Sequence, residues 1–246
     1  MLLHARDPAS PPPEEPPSLS PASNDPRAAG KRAAVDAALA LIKPGMRLGI
    51  GSGSTVNLLI ERLAASPGLV DSAVAASSAT EARLRDAGID IDELNLTGPL
   101  ELYLDGADEA DPGLRLIKGG GAALTREKII AAASRRFVCL VDDSKRVAVL
   151  GAFGLPLEVV PMARSFVARE IVRLGADPEY REGTLTDNGN VILDCYGFRI
   201  DDPPALEAAI NAIPGVVTCG LFAARGADQL IVGRADGQAE RVAPSS

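Results

Sequence analysis

Between positions 118 and 128 the chain reads Lys118-Gly119-Gly120-Gly121-Ala122-Ala123-Leu124-Thr125-Arg126-Glu127-Lys128. Three consecutive glycines remove side chains from the backbone where an apolar run ends and a helical pattern begins, so a ligand can approach the main chain closely. A cation precedes this gap and a carboxylate follows it. Lys118 can stabilise negative charge and Glu127 can move a proton, the pair needed to take a hydrogen from carbon next to a carbonyl. The same residues also suit an ordinary helix entry, because first turns commonly carry Thr and Glu.

Three other loops carry polar groups, each after an expected strand. Gly51-Ser52-Gly53-Ser54-Thr55 lies between a short strand at 46–50 and a helix marked by Val56, Leu59, Ile60 and Leu63. Backbone N–H groups and hydroxyls in that geometry cradle a phosphate at a helix N-terminus. A nucleotide P-loop needs Gly-Lys-Ser/Thr, and no lysine follows Gly53. In the dinucleotide fingerprint the third glycine would fall on Ser54, and the next strand, near 73–76, ends in Ser77-Ser78 instead of an acid, which disfavours NAD.

Asp105-Gly106-Ala107-Asp108-Glu109 follows a strand at 100–104, with Asp111 just beyond. Its carboxylates suit a hydroxyl-rich ligand, a divalent cation or a merely solvated acidic turn. Asp142-Asp143-Ser144-Lys145 follows a strand at 135–141. Ligands of open α/β sheets bind at strand C-terminal ends, so these loops suit one anionic, hydroxyl-rich ligand.

Composition narrows the chemistry. The one histidine, His4, sits in the N-terminal tail, which removes Ser-His and Cys-His nucleophile pairs and His-ligated metals. Catalysis then rests on carboxylates and lysines. Lys plus Arg number 25 against 33 for Asp plus Glu, a net charge of −8 with no basic tract, so no nucleic-acid partner is expected. An anionic ligand must be small and gripped locally, which requires Lys31, Lys118 and Lys145 to face one pocket with Ser54 and Thr55. Cys139, Cys195 and Cys219 are far apart and odd in number, arguing for buried thiols and against a zinc or disulfide framework. No apolar run approaches the ~20 residues of a membrane helix and no signal pattern opens the chain, so no membrane partner and a cytoplasmic location are expected.

The elements that must position these residues follow from periodicity. Helices are expected at 31–42, stopped by Pro44-Gly45, and at 81–87, with an extended run at 89–94. Strands alternating with helices, and a core of Ala, Val, Leu and Ile with no Trp, point to an α/β, Rossmann-like open sheet. After Gly154 the order becomes a strand at 157–160, a helix at 163–174, an extended run at 178–186, an Asn-Gly hairpin turn at 187–190, a strand at 191–196, a helix at 204–213 and a strand at 216–222. That β-α-β-β-α-β order describes a smaller ferredoxin-like α+β domain. The expected organisation is a disordered, proline-rich extension at 1–28, a Rossmann-like catalytic domain at 29–150 plus 224–246, and the small domain at 151–223. Residues 230–232 return to the larger sheet, and the tail after Ala235 is expected to be weakly structured.

In this order the loops resemble the A-type ribose-5-phosphate isomerase family, over about residues 30 to 235. The matching stretches are the four loops above, with Val160-Pro161-Met162-Ala163 and Thr186-Asp187-Asn188-Gly189-Asn190 in the second domain. The resemblance implies reversible conversion of D-ribose 5-phosphate into D-ribulose 5-phosphate through an enediolate, in the pentose phosphate pathway, with no metal or organic cofactor. It implies Glu127 as the base moving a proton between C2 and C1, Lys118 as the group stabilising the enediolate, Asp105 in ring opening, and Asp108 against substrate hydroxyls. Ser52, Gly53, Ser54 and Thr55, with Lys31 and Lys145, would hold the phosphate, while Gly106, Ala107, Gly119, Gly120 and Gly121 would line the substrate. A homodimer or homotetramer is implied as well. Serine at 52, where the family commonly has threonine, keeps a hydroxyl, and the proline-rich extension has no family counterpart.

Three rival readings stand beside this one. A non-catalytic sugar-phosphate sensor would have little use for a base at Glu127. An acyl-CoA transferase-like enzyme would use that glutamate as a nucleophile. A metal-dependent isomerase would move hydride.

Overall fold

A computed structural model of the chain describes residues 26–244. The proline-rich extension expected to be disordered lies, up to residue 25, outside the described residues. In chain order the elements are α1 (Pro26–Leu39), β1 (Leu48–Ile50), α2 (Ser54–Ala64), β2 (Ser72–Ala75), α3 (Ser78–Asp86), β3 (Asp90–Ile91), α4 (Leu94–Thr97), β4 (Leu102–Asp105), β5 (Glu109–Ala110), β6 (Leu116–Ile117), α5 (Leu124–Ala133) and β7 (Phe137–Asp142). There follow β8 (Leu155–Val159), α6 (Arg164–Arg173), β9 (Asp177–Tyr180), β10 (Val191–Tyr196), α7 (Pro203–Asn211), β11 (Val216–Cys219), β12 (Leu221–Phe222), β13 (Gln229–Gly233) and β14 (Ala239–Val242).

Among the described residues the strands form three sheets. The largest runs β14-β13-β7-β4-β1-β2-β3 and is parallel except for β14. From β1 the chain moves outward to β2 and β3, then returns to the other side of β1 at β4 and moves outward the opposite way. The loops leaving β1 and β4 therefore diverge from neighbouring strand ends, which opens a crevice at this switch point.

Alternation along the strands sorts side chains between two cores. Leu102 and Leu104 of β4 pack with Val138 and Leu140 of β7 beneath α1 and α2, while Tyr103, Phe137 and Cys139 face α5 and Phe222. By the same period of two, Asp105 points to the face of Tyr103.

The second sheet runs β11-β8-β10-β9 and is antiparallel throughout, with α6 joining β8 to β9 and α7 joining β10 to β11. This is the ferredoxin-like order. A small antiparallel sheet, β12-β6-β5, joins the two. The expected strand at 216–222 breaks at Gly220, where an added Cβ would stand 2.2 Å from the Lys118 carbonyl oxygen. There Gly220 O accepts from Lys118 N at 2.9 Å and Gly220 N donates to Pro156 O at 2.7 Å, so the chain changes sheets while seated against Lys118.

Other differences have local causes. The first helix begins before residue 31 and places Gly30 against Gly233 of β13, where only glycines permit contact: a Cβ on Gly233 would lie 1.8 Å from Gly30 O. The Asn-Gly turn is the tip of a longer connection between β9 and β10, because Thr186 N bonds Asn190 O and the side chains around it are drawn toward Glu158. The tail after Ala235 is not unstructured: β14 covers the free edge of β13.

Gly233→Ala is expected to wedge α1 off the sheet and lower stability by about 1–3 kcal/mol in urea melts. Gly121→Ala, whose Cβ meets nothing within 4 Å, should leave stability unchanged or raise it by up to ~1 kcal/mol through the unfolded chain.

Candidate active site

The crevice at the ends of β1, β4 and β7 is a cleft of about 140 Å³. Its walls carry Lys31, Ser52, Gly53, Ser54, Thr55, Gly106, Ala107, Asp108, Lys118, Gly119, Gly120, Gly121, Glu127 and Lys145, together with Val141 and Asp142, which sequence reasoning did not single out. Asp105 is fully buried behind that wall. Lys31, Lys118 and Lys145 thus face one cleft with Ser54 and Thr55.

At one end lies a cradle for an anion. Helix α2 starts at Ser54 with Gly53 as its N-cap, at φ 94°, and no side chain caps the first amides. Those N–H groups and the positive end of the helix favour negative charge. Lys31, carried in by α1 through the Gly30–Gly233 contact, donates from Nζ to Ser54 Oγ at 2.9 Å. Lys145 completes that end from a short 3-10 turn (Asp143–Lys145) after β7, where Asp142 caps the turn by accepting from Ser144 N at 3.1 Å.

At the other end lies a buried ion cluster. The β5–β6 hairpin folds the chain back, with Asp108 N on Ile117 O at 2.8 Å, and so returns Lys118 to the end of β4. Lys118 Nζ lies 2.7 Å from Asp105 Oδ2, 3.1 Å from Glu127 Oε2 and 2.6 Å from Gly106 O. Asp105 also accepts from Ser52 N at 3.0 Å, Gly106 N at 2.7 Å and the Tyr103 hydroxyl. Glycine is required at 51, where a Cβ would meet the Asp105 carboxylate at 1.9 Å.

Glu127 stands in the first turn of α5. Its Oε1 accepts the Ser52 hydroxyl. Its Oε2 has the Lys118 charge nearby but no aligned hydrogen bond, and is the oxygen left free to take a proton.

Burial, and then the charge of Asp105, push the Glu127 carboxyl up to about 7, against the opposing pull of Lys118 and the Ser52 hydroxyl. The sequence left open whether neighbouring cations would win. Arg126 turns instead to Asn188 and Asp187, and Lys128 to Glu207 at 2.5 Å and Leu221 O at 2.6 Å. Burial works against the Lys118 ammonium, but the carboxylates of Asp105 and Glu127 outweigh it and hold its pKa above the ordinary lysine value. Burial and Asp105 likewise raise the Tyr103 phenol well above its usual range, so it remains a neutral donor.

The acidic stretch does not converge on a cation. Asp108 accepts from Gly120 N at 2.9 Å, Glu109 turns to the amides of Gly151 and Phe153, and Asp111 pairs with Arg115 at 2.6 Å. Among the described residues no group of three or more His, Cys, Asp or Glu side chains is placed to hold a metal ion. The cleft thus offers an anion cradle at one end and, at the other, a carboxylate poised near neutrality beside a fixed cation. Of the groups sequence reasoning missed, Tyr103 was within reach, since residues two apart on a strand share a face.

Comparison with known proteins agrees with this geometry. The family model described as ribose 5-phosphate isomerase A (phosphoriboisomerase A) matches residues 72–237. A ribose-5-phosphate isomerase A of Acidithiobacillus ferrooxidans is 56% identical over 213 residues, covering 87% of this chain and 97% of that protein. Ribose 5-phosphate isomerase A from Neisseria gonorrhoeae superposes with a TM-score of 0.85 at 42% identity, over 88% of this chain and 96% of that one. A D-ribose-5-phosphate isomerase in complex with phospho-erythronic acid superposes with a TM-score of 0.83 at 37% identity, over 87% and 97% of the two chains. By sequence, fold and cleft alike, the chain belongs to the ribose 5-phosphate isomerase A family.

Proposed function

We propose that this chain interconverts D-ribose 5-phosphate and D-ribulose 5-phosphate, an aldose-ketose isomerisation of the pentose phosphate pathway, by proton transfer through an enediolate. The observation that carries the reading is the Glu127 carboxyl, lifted to about 7 on the cleft wall with Lys118 Nζ 3.1 Å away. The reaction oxidises C2 and reduces C1 of one molecule, so it needs no external oxidant or reductant.

The phosphate sits on the α2 amides with Ser54, Thr55, Lys31 and Lys145. Asp105 takes part in ring opening through the Lys118 ammonium that it holds, and Asp108 faces the sugar hydroxyls. Glu127 removes the C2 proton, the C–H electrons form the C1–C2 double bond, and charge moves to the carbonyl oxygen at C1. As Glu127 becomes neutral its attraction for Lys118 falls, and the ammonium follows the charge to the new oxyanion. Stabilising charge where it develops is the larger effect. Glu127 then returns the proton to C1 while the hydroxyl proton on O2 passes to O1, so that C2 becomes the carbonyl and C1 the CH2OH of the ketose.

The catalytic unit is 29–150 with 224–246, braced by 151–223. Assembly as a homodimer or homotetramer is supported by Val160, Met162, Phe166 and Val217, large apolar side chains left exposed on the small domain. Light scattering is expected to give two or four chains, and a monomer at micromolar concentration overturns this. A cytoplasmic location is in keeping with a pathway enzyme among whose described residues no helix is long and apolar enough to cross a membrane.

Glu127→Gln is expected to cost roughly 10²–10⁴ in kcat while leaving ribose 5-phosphate binding nearly intact. A wild-type protein that binds this sugar in calorimetry but never turns it over would favour a sensor.

The pH profile gives a second test. The base must be ionised, so kcat/KM rises as pH climbs through about 7 and levels above it. Asp105→Asn removes a charge that raises Glu127, so the acid limb of that variant, whatever its height, moves to lower pH. A limb set by the substrate phosphate, which titrates near ~6, would stay in place in both proteins.

A further inference from the structure

Arg181 follows β9 directly. Its Nε donates to Asp194 Oδ2 on β10 at 2.8 Å and its Nη2 to the other carboxylate oxygen, a two-pronged pairing that fixes the guanidinium plane. The remaining nitrogen, Nη1, lies 3.2 Å from Gly119 O and 3.0 Å from Gly120 O. Arg181 is not on the cleft wall, whereas Gly119, Gly120 and Gly121 are, so it grips the glycine loop from behind.

A trans peptide sends its C=O and N–H to opposite sides. With both carbonyls turned to Arg181, the amides of Gly120 and Gly121 face away from it. Gly120 N–H meets Asp108 Oδ2 at 2.9 Å, and Gly121 N–H has no acceptor among the described residues. Three glycines in a row have the widest backbone freedom and no side chains to restrict it. Within the loop the Ala122 N to Gly119 O bond of 3.0 Å closes the turn, but it leaves the 120–121 peptide free to rotate.

We propose that Arg181, braced by Asp194, is a positioning residue for the isomerisation: it locks the peptides at 119–120 and 120–121 so that the Gly121 N–H donates to the oxygen gaining charge. This rests on the isomerase reading above. The donor acts on charge that exists only as the reaction proceeds, so Arg181 governs kcat and leaves ground-state binding alone.

The test compares wild type, Arg181→Met, Arg181→Lys and Asp194→Asn in ribose 5-phosphate turnover. Binding of phospho-erythronic acid, whose planar carboxylate mimics the enediolate, and of inorganic phosphate is measured alongside. Arg181→Met is expected to lose roughly 10- to 100-fold in kcat, less than the 10²–10³ of deleting an oxyanion donor outright, with KM within about twofold. Phospho-erythronic acid affinity falls by the same factor, phosphate affinity stays, and the acid limb of kcat/KM does not move. Arg181→Lys recovers part of kcat, because one ammonium can reach both carbonyls without the fork to Asp194.

An unchanged kcat in Arg181→Met overturns the proposal. So does a fall in kcat matched by losses of KM and phosphate affinity, which would mark general loosening. Should Arg181→Met fail to fold, Asp194→Asn decides: a severalfold loss in kcat with KM kept supports the clamp, and full activity overturns it. A wild type without turnover sinks the isomerase reading instead, and the clamp is then judged on phospho-erythronic acid affinity alone.

Discussion

One ammonium shared by two carboxylates, out of reach of bulk water, is the constraint on which the rest of the structure depends. Lys118, Asp105 and Glu127 sum to one negative charge in a place where none is well solvated. Breaking such a buried pair typically costs about 3–5 kcal/mol, so the surrounding chain has to hold all three members together. Among the described residues four donors converge on Asp105: two amides, the Tyr103 hydroxyl and Lys118. Glu127 receives one hydroxyl and a misaligned ammonium. The imbalance decides which carboxylate gives way, and the one that gives way is on the cleft wall.

The small domain is part of that arrangement. Around Glu127 the first turn of α5 presents Thr125, Arg126 and Lys128, and all three are tied to residues beyond 151. Thr125 donates to Glu158, a fully buried carboxylate that also accepts from Thr186, Asn188 and Asn190. Arg126 meets Asn188 and Asp187, and Lys128 meets Glu207. Successive helix residues point about 100° apart, so fixing these three leaves Glu127 directed at Lys118. Two cations adjacent in sequence are thereby kept from lowering its proton affinity.

Much of the cleft was legible in the sequence because it is made of strand-end loops, and such loops are local. Gly51 to Thr55, Asp105 to Asp108 and Lys118 to Glu127 each announce themselves by residue type within about ten positions. The parallel sheet and the β-α-β-β-α-β unit were legible from periodicity for the same reason. What was not legible is the long-range part. The orientation of Arg126 and Lys128 depends on partners some 60 to 90 residues away, as the separations of Asn188 and Leu221 from them show. Strand β14 carries an exposed and half-buried pattern, as an edge strand does, and so offers no apolar signal. Nor does sequence adjacency make side chains converge: the pleat and the hairpin turn send Asp105, Glu109 and Asp111 to different neighbours.

The loop after β1 shows why the reaction suits this switch point. Gly51 is fixed on both sides, its N–H on Leu104 O at 2.9 Å and its carbonyl under the Thr80 hydroxyl at 2.7 Å. Ser52 then touches Glu127, and two residues later Ser54 opens helix α2. The proposed phosphate site and the proposed base are therefore held in register by a few residues of anchored backbone. On the roles proposed for these residues, binding energy collected at the phosphate positions C2 against Glu127, which a looser connection between the two would waste. Serine at 52 bears on this register more than on grip: it keeps the hydroxyl that Glu127 Oε1 accepts, and it lacks the β-branch with which threonine would restrict that hydroxyl to fewer rotamers.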